Sequence, residues 1–272
     1  MDGVALKSAL RAGRRVYGTC VLSPSPLWPA MLAGTGLDFV FIDTEHIPLD
    51  RAQVSWMCQA YAAKGLPPIV RIPAPDPYEA CKVLDGGAVG VVAPYLERIS
   101  DIQALRGAVK YRPLKGERLE RVLCGAEALD ETLENYLGGY ASDKLMVVNI
   151  ESTPAIERLD EILDVPGIDA LLIGPHDLSI SLGIPEQYQH PTFTKAITTI
   201  IDKGRSRGVG VGFHYSFGIE DAVAWARAGA NLIVHSSDYF LVRDALRHDL
   251  RYLHESLGDS REGARGDDMV VV

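Results

Sequence analysis

Short apolar, β-branched runs recur along the chain, each followed by a stretch of helical periodicity, and that alternation predicts βαβ units and a parallel sheet. The runs fall at residues 16–22, 39–43, 68–72, 89–93, 145–150, 170–173, 209–213 and 231–235. Between them the spacing predicts helices, among them 51–64, 77–85, 99–110, 154–163 and 219–228, with Gly or Pro at the returns. Eight strands each followed by a helix predict a single-domain α/β fold, a (β/α)8 TIM barrel over residues 1–257. An open doubly wound sheet is the alternative, but no GxGxxG joins an early strand to a helix. Residues 111–127, rich in charge, are expected to form a long loop, and residues 258–272 a mobile polar tail. The last helix, 239–257, carries Leu241, Val242, Leu246, Leu250, Leu253 and Leu257 at helical spacing and needs a surface for that face.

Composition narrows the class without touching the fold. The 272 residues are 47% hydrophobic and 23% charged, ordinary values for a globular chain with a sizeable core. A net charge of −9 with scattered Lys and Arg lacks the clustered basic footprint of a nucleic-acid or anionic-membrane binder. Cys20, Cys58, Cys81 and Cys124 stand apart with no CxxC pair, which fits reduced thiols in a cytoplasmic protein. The amino-terminal segment lacks the uninterrupted apolar stretch of a signal peptide, and runs such as 89–93 are too short to span a bilayer.

In barrels of this kind chemistry sits at the carboxyl ends of the strands, and here those ends are polar. They carry Asp43-Thr44-Glu45-His46, Arg71, Glu151, Gly174-Pro175-His176-Asp177, His214 and Ser236-Ser237-Asp238. Taken singly, each has a structural explanation: Asp43 or Asp177 as a cap, Arg71 in an ion pair, His214 in packing. Together they point to chemistry. If the strands close, Glu151 and Asp177 come from adjacent strands, and two neighbouring carboxylates repel unless a proton or cation lies between them. Mg²⁺ takes one or two carboxylates and leaves positions for substrate oxygens; Mn²⁺, Co²⁺ or Zn²⁺ would satisfy the pair less selectively.

Such a cation suits a 2-oxo acid, which chelates through its carboxylate and keto oxygens, and it would stabilise an enolate. Arg71, one strand over, is the expected partner of the oxyanion. The backbone N–H groups of His176 and Asp177, after Gly174-Pro175, are expected to hold the substrate carboxylate. His46 is the expected base, with Asp43 or Glu45 to orient its ring. A Schiff-base lysine is disfavoured, because Lys82, Lys110, Lys195 and Lys203 fall on predicted helices and Lys144 precedes its strand. No GxSxG elbow or HExxH spacing occurs.

The segments Phe39-Val40-Phe41-Ile42-Asp43-Thr44-Glu45-His46, Ile69-Val70-Arg71-Ile72-Pro73, Val148-Asn149-Ile150-Glu151-Ser152 and Ile173-Gly174-Pro175-His176-Asp177-Leu178-Ser179 resemble the HpcH/HpaI aldolase family. The resemblance implies a class II, metal- and pyruvate-dependent aldolase that reversibly cleaves a 4-hydroxy-2-oxo acid to pyruvate, or a close 2-oxo acid, and an aldehyde. It implies Glu151 and Asp177 as metal ligands, Arg71 as enolate support, His46 linked to Asp43 for proton transfer, and Glu45 holding water that the metal carries. It also implies a homohexamer, a trimer of dimers in which the last helix packs on a neighbour. Asn149 and His176 depart from the Gln and Ala common in the family, and residues 111–118 and 23–26 replace two of its usual loops. Those changes leave open a decarboxylase or a carbon–carbon lyase on a bulkier or thioester substrate, and, more remotely, a 2-oxo-acid-binding protein without turnover.

Overall fold

The computed structural model describes residues 1–259. Eight parallel strands close into a barrel in sequence order, with β8 returning to pair with β1. They are β1 (Val16–Val21), β2 (Phe39–Asp43), β3 (Pro68–Arg71), β4 (Gly90–Ala93), β5 (Leu145–Ile150), β6 (Ala170–Ile173), β7 (Gly210–Tyr215) and β8 (Leu232–Ser237). Each lies within two residues of the run expected from the sequence, because buried parallel strands are written as continuous β-branched stretches.

Alternation along the strands sorts the core into two compartments. Outward residues such as Val40, Ile42, Val70, Val148, Leu171 and Val211 pack beneath the helices. Inward residues such as Phe39, Phe41, Ile69, Val92, Val147, Leu172, Leu232 and Val234 fill the barrel. The same period of two carries inward from Phe41 to Asp43, from Ile69 to Arg71, from Val147 to Asn149 and Glu151, and from Val234 to Ser236. Polar residues therefore form the last inward layer. Gly212 is the tightest point of the wall: a Cβ there would lie 2.0 Å from Leu232 O.

Helix α1 (Gly3–Arg11), capped by Asp2, seals the opposite end with fully buried Leu6 and Leu10. Leu10 O accepts hydrogen bonds from Arg205 and Asn231, which ties this plug to the segments that lead into the last two strands. Nearby, buried Asp169 gathers Lys7, Arg11 and Lys110, and burial lowers the Lys110 pKa to about 8.

The helices include α2 (Trp28–Leu32), α3 (Arg51–Ala62), α4 (Pro77–Asp85) and α5 (Ile99–Lys110). Next come α6 (Gly116–Leu123), α7 (Glu131–Tyr140), α8 (Thr153–Glu157), α9 (Leu159–Leu163), α10 (Pro175–Ser181), α11 (Pro191–Ser206), α12 (Ile219–Ala228) and α13 (Asp238–Leu257). Two expectations need correction. Residues 111–127 are not all loop, because 116–123 form α6, whose Leu119 and Leu123 come against Gly107 of α5 and whose Arg118 and Arg121 clasp Glu127. The helix expected over 154–163 is broken at Arg158 into α8 and α9. The tail expected over 258–272 falls, from residue 260 on, outside the described residues. No helix among the described residues is long and apolar enough to cross a membrane.

Candidate active site

Asp43 and Arg71 are direct neighbours in the β2–β3 register, both facing inward and both buried. Arg71 Nε donates to Asp43 Oδ1 at 2.8 Å and Nη2 to Oδ2 at 2.7 Å, a bidentate fork. Burial alone would raise the Asp43 pKa; the Arg71 hydrogen bonds and charge, with the Glu45 N–H, outweigh it and lower the pKa. Burial likewise works against the Arg71 charge, but Asp43 and Glu45 more than restore it. Nη1 has no protein partner among the described residues and is left for the cavity that Arg71 lines.

Glu45 Oε2 lies 3.1 Å from Arg71 Nε. That N–H is already aimed at Asp43, so the buried Oε2 accepts no hydrogen bond among the described residues. His46 is half exposed, with Nε2 3.8 Å from the same oxygen. The structure thus brings His46 to Glu45 and does not join it to Asp43, whose oxygens are taken by Arg71 and by the Glu45 N–H at 3.0 Å.

Across the rim, Glu151 follows β5 and is buried. Its Oε1 accepts from Tyr95 N at 2.8 Å and its Oε2 from the Asn149 amide. Burial first, then the negative charges of Asp177 and Glu45, push its pKa up to about 7 against the opposing Tyr95 N–H and Arg71. Asp177 lies in the first turn of α10, and with Glu151, Asn149 and Tyr95 it lines a cavity of about 270 Å³. A second cavity of about 300 Å³ runs from Asn149 and Asp177 past Arg71, His46, His176 and His214 to Phe217. Gly174 lets β6 close onto this corner: a Cβ there would sit 3.1 Å from Glu151 Oε2.

The donor chemistry fits a hard cation. Glu151 is a carboxylate whose ionisation is suppressed by burial and like charge, which a cation would relieve, and the buried Asn149 Oδ1 has no hydrogen-bond partner among the described residues. Among the described residues no group of three or more His, Cys, Asp or Glu gathers as a ready-made cage; Glu151 and Asp177 line one cavity. The N–H groups of His176 and Asp177 sit in the first turn of α10 with no intrahelical acceptor, next to the carboxylates. His176 Nδ1 is turned toward Glu186, 3.8 Å away and too far for a hydrogen bond.

Tyr95 escaped sequence reasoning. It ends the β4 exit in a left-handed conformation (φ 55°) that aims its N–H at Glu151, and the Glu45 carboxylate, then burial, raise its phenol pKa to about 12. Its place directly after β4 was the available signal. Asp238, by contrast, is structural: its oxygens accept from the N–H groups of Leu22, Ser23 and Tyr239, pinning the loop after β1. Lys82, Lys110, Lys195 and Lys203 lie on helices and Lys144 just before β5, so none of them ends a strand.

The closed parallel barrel is the (β/α)8 architecture, and the family and the aldolases it is similar to make the protein a carbon–carbon lyase. The family model described as HpcH/HpaI aldolase/citrate lyase matches residues 18–245, and the chain belongs to that family. A 2-keto-3-deoxy-L-rhamnonate aldolase of Escherichia coli K12 is 33% identical over 247 residues, spanning 88% of this chain and 89% of that protein. A solved HpcH/HpaI aldolase/citrate lyase family protein from Burkholderia cenocepacia J2315 superposes with a TM-score of 0.78 at 28% identity, covering 92% of this chain and 99% of the other. The citrate synthase SbnG gives a TM-score of 0.78 at 27% identity, covering 94% and 100%.

Proposed function

We propose that this protein is a divalent-cation-dependent aldolase that reversibly cleaves a 4-hydroxy-2-oxo acid to pyruvate, or a close 2-oxo acid, and an aldehyde. The observation that carries the proposal is a buried guanidinium, clamped by Asp43 with Nη1 free, on a cavity that adjoins the Glu151–Asp177 pair. The similarity to an enzyme named for a 2-keto-3-deoxy acid supports the substrate class.

Glu151 and Asp177 would hold the cation, with Mg²⁺ or Mn²⁺ favoured by oxygen donors and Co²⁺ or Zn²⁺ acceptable. When bound, it draws charge from the substrate's keto oxygen. The N–H groups of His176 and Asp177 take the substrate carboxylate, and the Asn149 amide borders the same corner. Arg71 pairs with the oxygen on which negative charge grows, and because Asp43 fixes its fork, little reorganisation is needed. As the C3–C4 bond breaks, the C4 hydroxyl proton passes to His46, directly or through water. The bonding pair moves into C2=C3 and onto the keto oxygen, and C3 then takes a proton back. Glu45, 3.8 Å from His46, steadies the imidazolium formed in between.

Deuterium exchange at C3 of pyruvate, followed by NMR with Mg²⁺ or Mn²⁺, tests this reading. Exchange is expected; its absence with either ion would leave a binding protein without turnover. Pyruvate offered with a panel of aldehydes and read by mass spectrometry then identifies the acceptor.

The assembly proposed is a homohexamer. Helix α13 leaves Leu241, Val242, Leu246, Leu250, Leu253 and Leu257 exposed, an apolar face that a second copy would cover. Light scattering that reports a monomer at micromolar concentration would refute it. The four unpaired cysteines suit a reducing, cytoplasmic setting.

A further inference from the structure

His214 lies on the inward face of β7, in the same layer as Arg71, and the two side chains share one floor. The His214 ring centroid is 5.6 Å from that of Phe41, and Arg71 Cζ stands 5.7 Å over the same Phe41 ring. His214 Nε2 lies 3.1 Å from Ser236 O. A carbonyl can only accept, so Nε2 carries the proton and Nδ1 holds a lone pair. Among the described residues Nδ1 has no hydrogen-bond partner, and it is not among the sealed polar atoms, so it opens onto the cavity that His214 lines.

The carbonyl that fixes this tautomer is itself held in an uncommon way. Ser236 is buried with φ 53°, a left-handed conformation that a serine adopts at a cost, and the β1–β8 register slips there, with Gly18 opposite Val234 but Cys20 opposite Ser237. The bulge presents Ser236 O to the imidazole. Burial, with the nearby Arg71 charge, lowers the His214 pKa to about 4, so the ring is neutral at physiological pH and offers the cavity an acceptor and not a cation.

We propose that His214 is a specificity-determining residue that selects 2-oxo acid donors bearing a hydroxyl on C3, of the hydroxypyruvate type, over donors with an alkyl group there. The inference rests on the aldolase reading above, in which Arg71 receives the keto oxygen. C3 is bonded to the carbon that carries this oxygen, so its substituent falls on the shared floor. The aldehyde enters from the rim, past His46, His176 and Phe217. A hydroxyl on C3 donates to Nδ1, whereas a methyl group in its place leaves that lone pair desolvated and unpaired. Forming the nucleophile breaks a C3–H bond: the proton leaves to the base, the electron pair forms C2=C3, and the keto oxygen takes the negative charge. The hydroxyl keeps its proton throughout.

The test compares hydroxypyruvate with 2-oxobutyrate, which carries a methyl group where the other carries a hydroxyl. Wild type and His214→Leu are assayed with Mn²⁺ for C3 deuterium exchange by NMR, and for binding of each acid by calorimetry. Wild type is expected to favour hydroxypyruvate by about tenfold or more in both readouts, and His214→Leu to reverse the order. A wild-type preference for 2-oxobutyrate, or a ratio that His214→Leu leaves unmoved, overturns the proposal. Should the variant fail to fold, the wild-type ratio decides alone. Exchange of both acids without discrimination refutes the subsite and leaves the aldolase reading standing. Discrimination in binding with no exchange of either acid supports the subsite and refutes turnover.

Discussion

Asp43 and Arg71 are paired twice, once as backbone neighbours across β2 and β3 and once through a two-pronged side-chain fork of 2.8 and 2.7 Å. The first pairing makes the second almost obligatory, because two inward side chains in register at the last layer of adjacent strands have little other space.

That relationship predicts different outcomes for two variants of Arg71. Arg71→Ala leaves a buried carboxylate uncompensated and should cost about 3–5 kcal/mol of stability, together with a loss of pyruvate exchange on the order of 10²–10³. Arg71→Lys should restore most of the stability and little of the exchange, since one ammonium cannot hold Asp43 bidentately and still face the oxyanion. Denaturant melts and NMR exchange rates check this; an active Arg71→Lys enzyme would remove the guanidinium from the mechanism.

Glu151 carries the opposite signature, a carboxylate whose pKa burial raises to about 7. Glu151→Gln is expected to weaken Mn²⁺ binding by at least about tenfold in calorimetry, while the metal-free protein melts no lower than wild type. EDTA should abolish activity. An unchanged Mn²⁺ affinity would move the cation elsewhere.

The pH dependence of stability follows from His214. Its folded pKa is about 4, below the ordinary imidazole value of 6.5, so between those values the unfolded chain binds the extra proton. Stability from this group is complete above pH 6.5 and is lost as pH falls toward 4, by up to about 1.4 kcal/mol per pH unit. Glu151 slopes the other way: its folded pKa is raised, so in the metal-free protein stability falls as pH rises from 4.5 to 7. The difference in unfolding free energy between wild type and His214→Leu cancels the Glu151 contribution. It should shift in favour of His214→Leu on acidification from pH 7 to pH 4; a difference that stays flat would show that His214 is not held neutral.

For the base, His46→Ala should lower aldol cleavage by about 10²–10⁴ with Mn²⁺ affinity near that of wild type. His176→Ala should stay active with an altered aldehyde preference, because its ring faces Glu186 and not Glu45. Steady-state kinetics on both variants decides; a dead His176→Ala beside a healthy His46→Ala would transfer the role.

The barrel was legible because strands buried on both faces leave long apolar runs, and the rim because period two carries polar residues inward at the ends of those runs. What stayed hidden depended on direction in space. The sequence offered Asp43 or Glu45 as the acid beside His46, and the resemblance linked His46 to Asp43, yet the inward parity of Asp43 turns it to Arg71 and Glu45 is the acid that lies by His46. Tyr95 contributes a backbone N–H through a left-handed φ, which its residue type does not announce. Helix α6 was masked by its charge, which the Arg118, Arg121 and Glu127 ion pairs absorb at the surface.

The amino-terminal plug has a consequence for the order of folding. Leu10 O is held by Arg205 and Asn231, 195 and 221 residues further along, and β1 needs β8 to close the ring. In a chain leaving the ribosome, these partners are among the last parts of the barrel to emerge. Until then Leu6, Leu10 and the free edge of β1 stay without their native cover, so a segment synthesised ahead of the other strands is among the last of the barrel to be protected, and contacts of such long range slow the final closure.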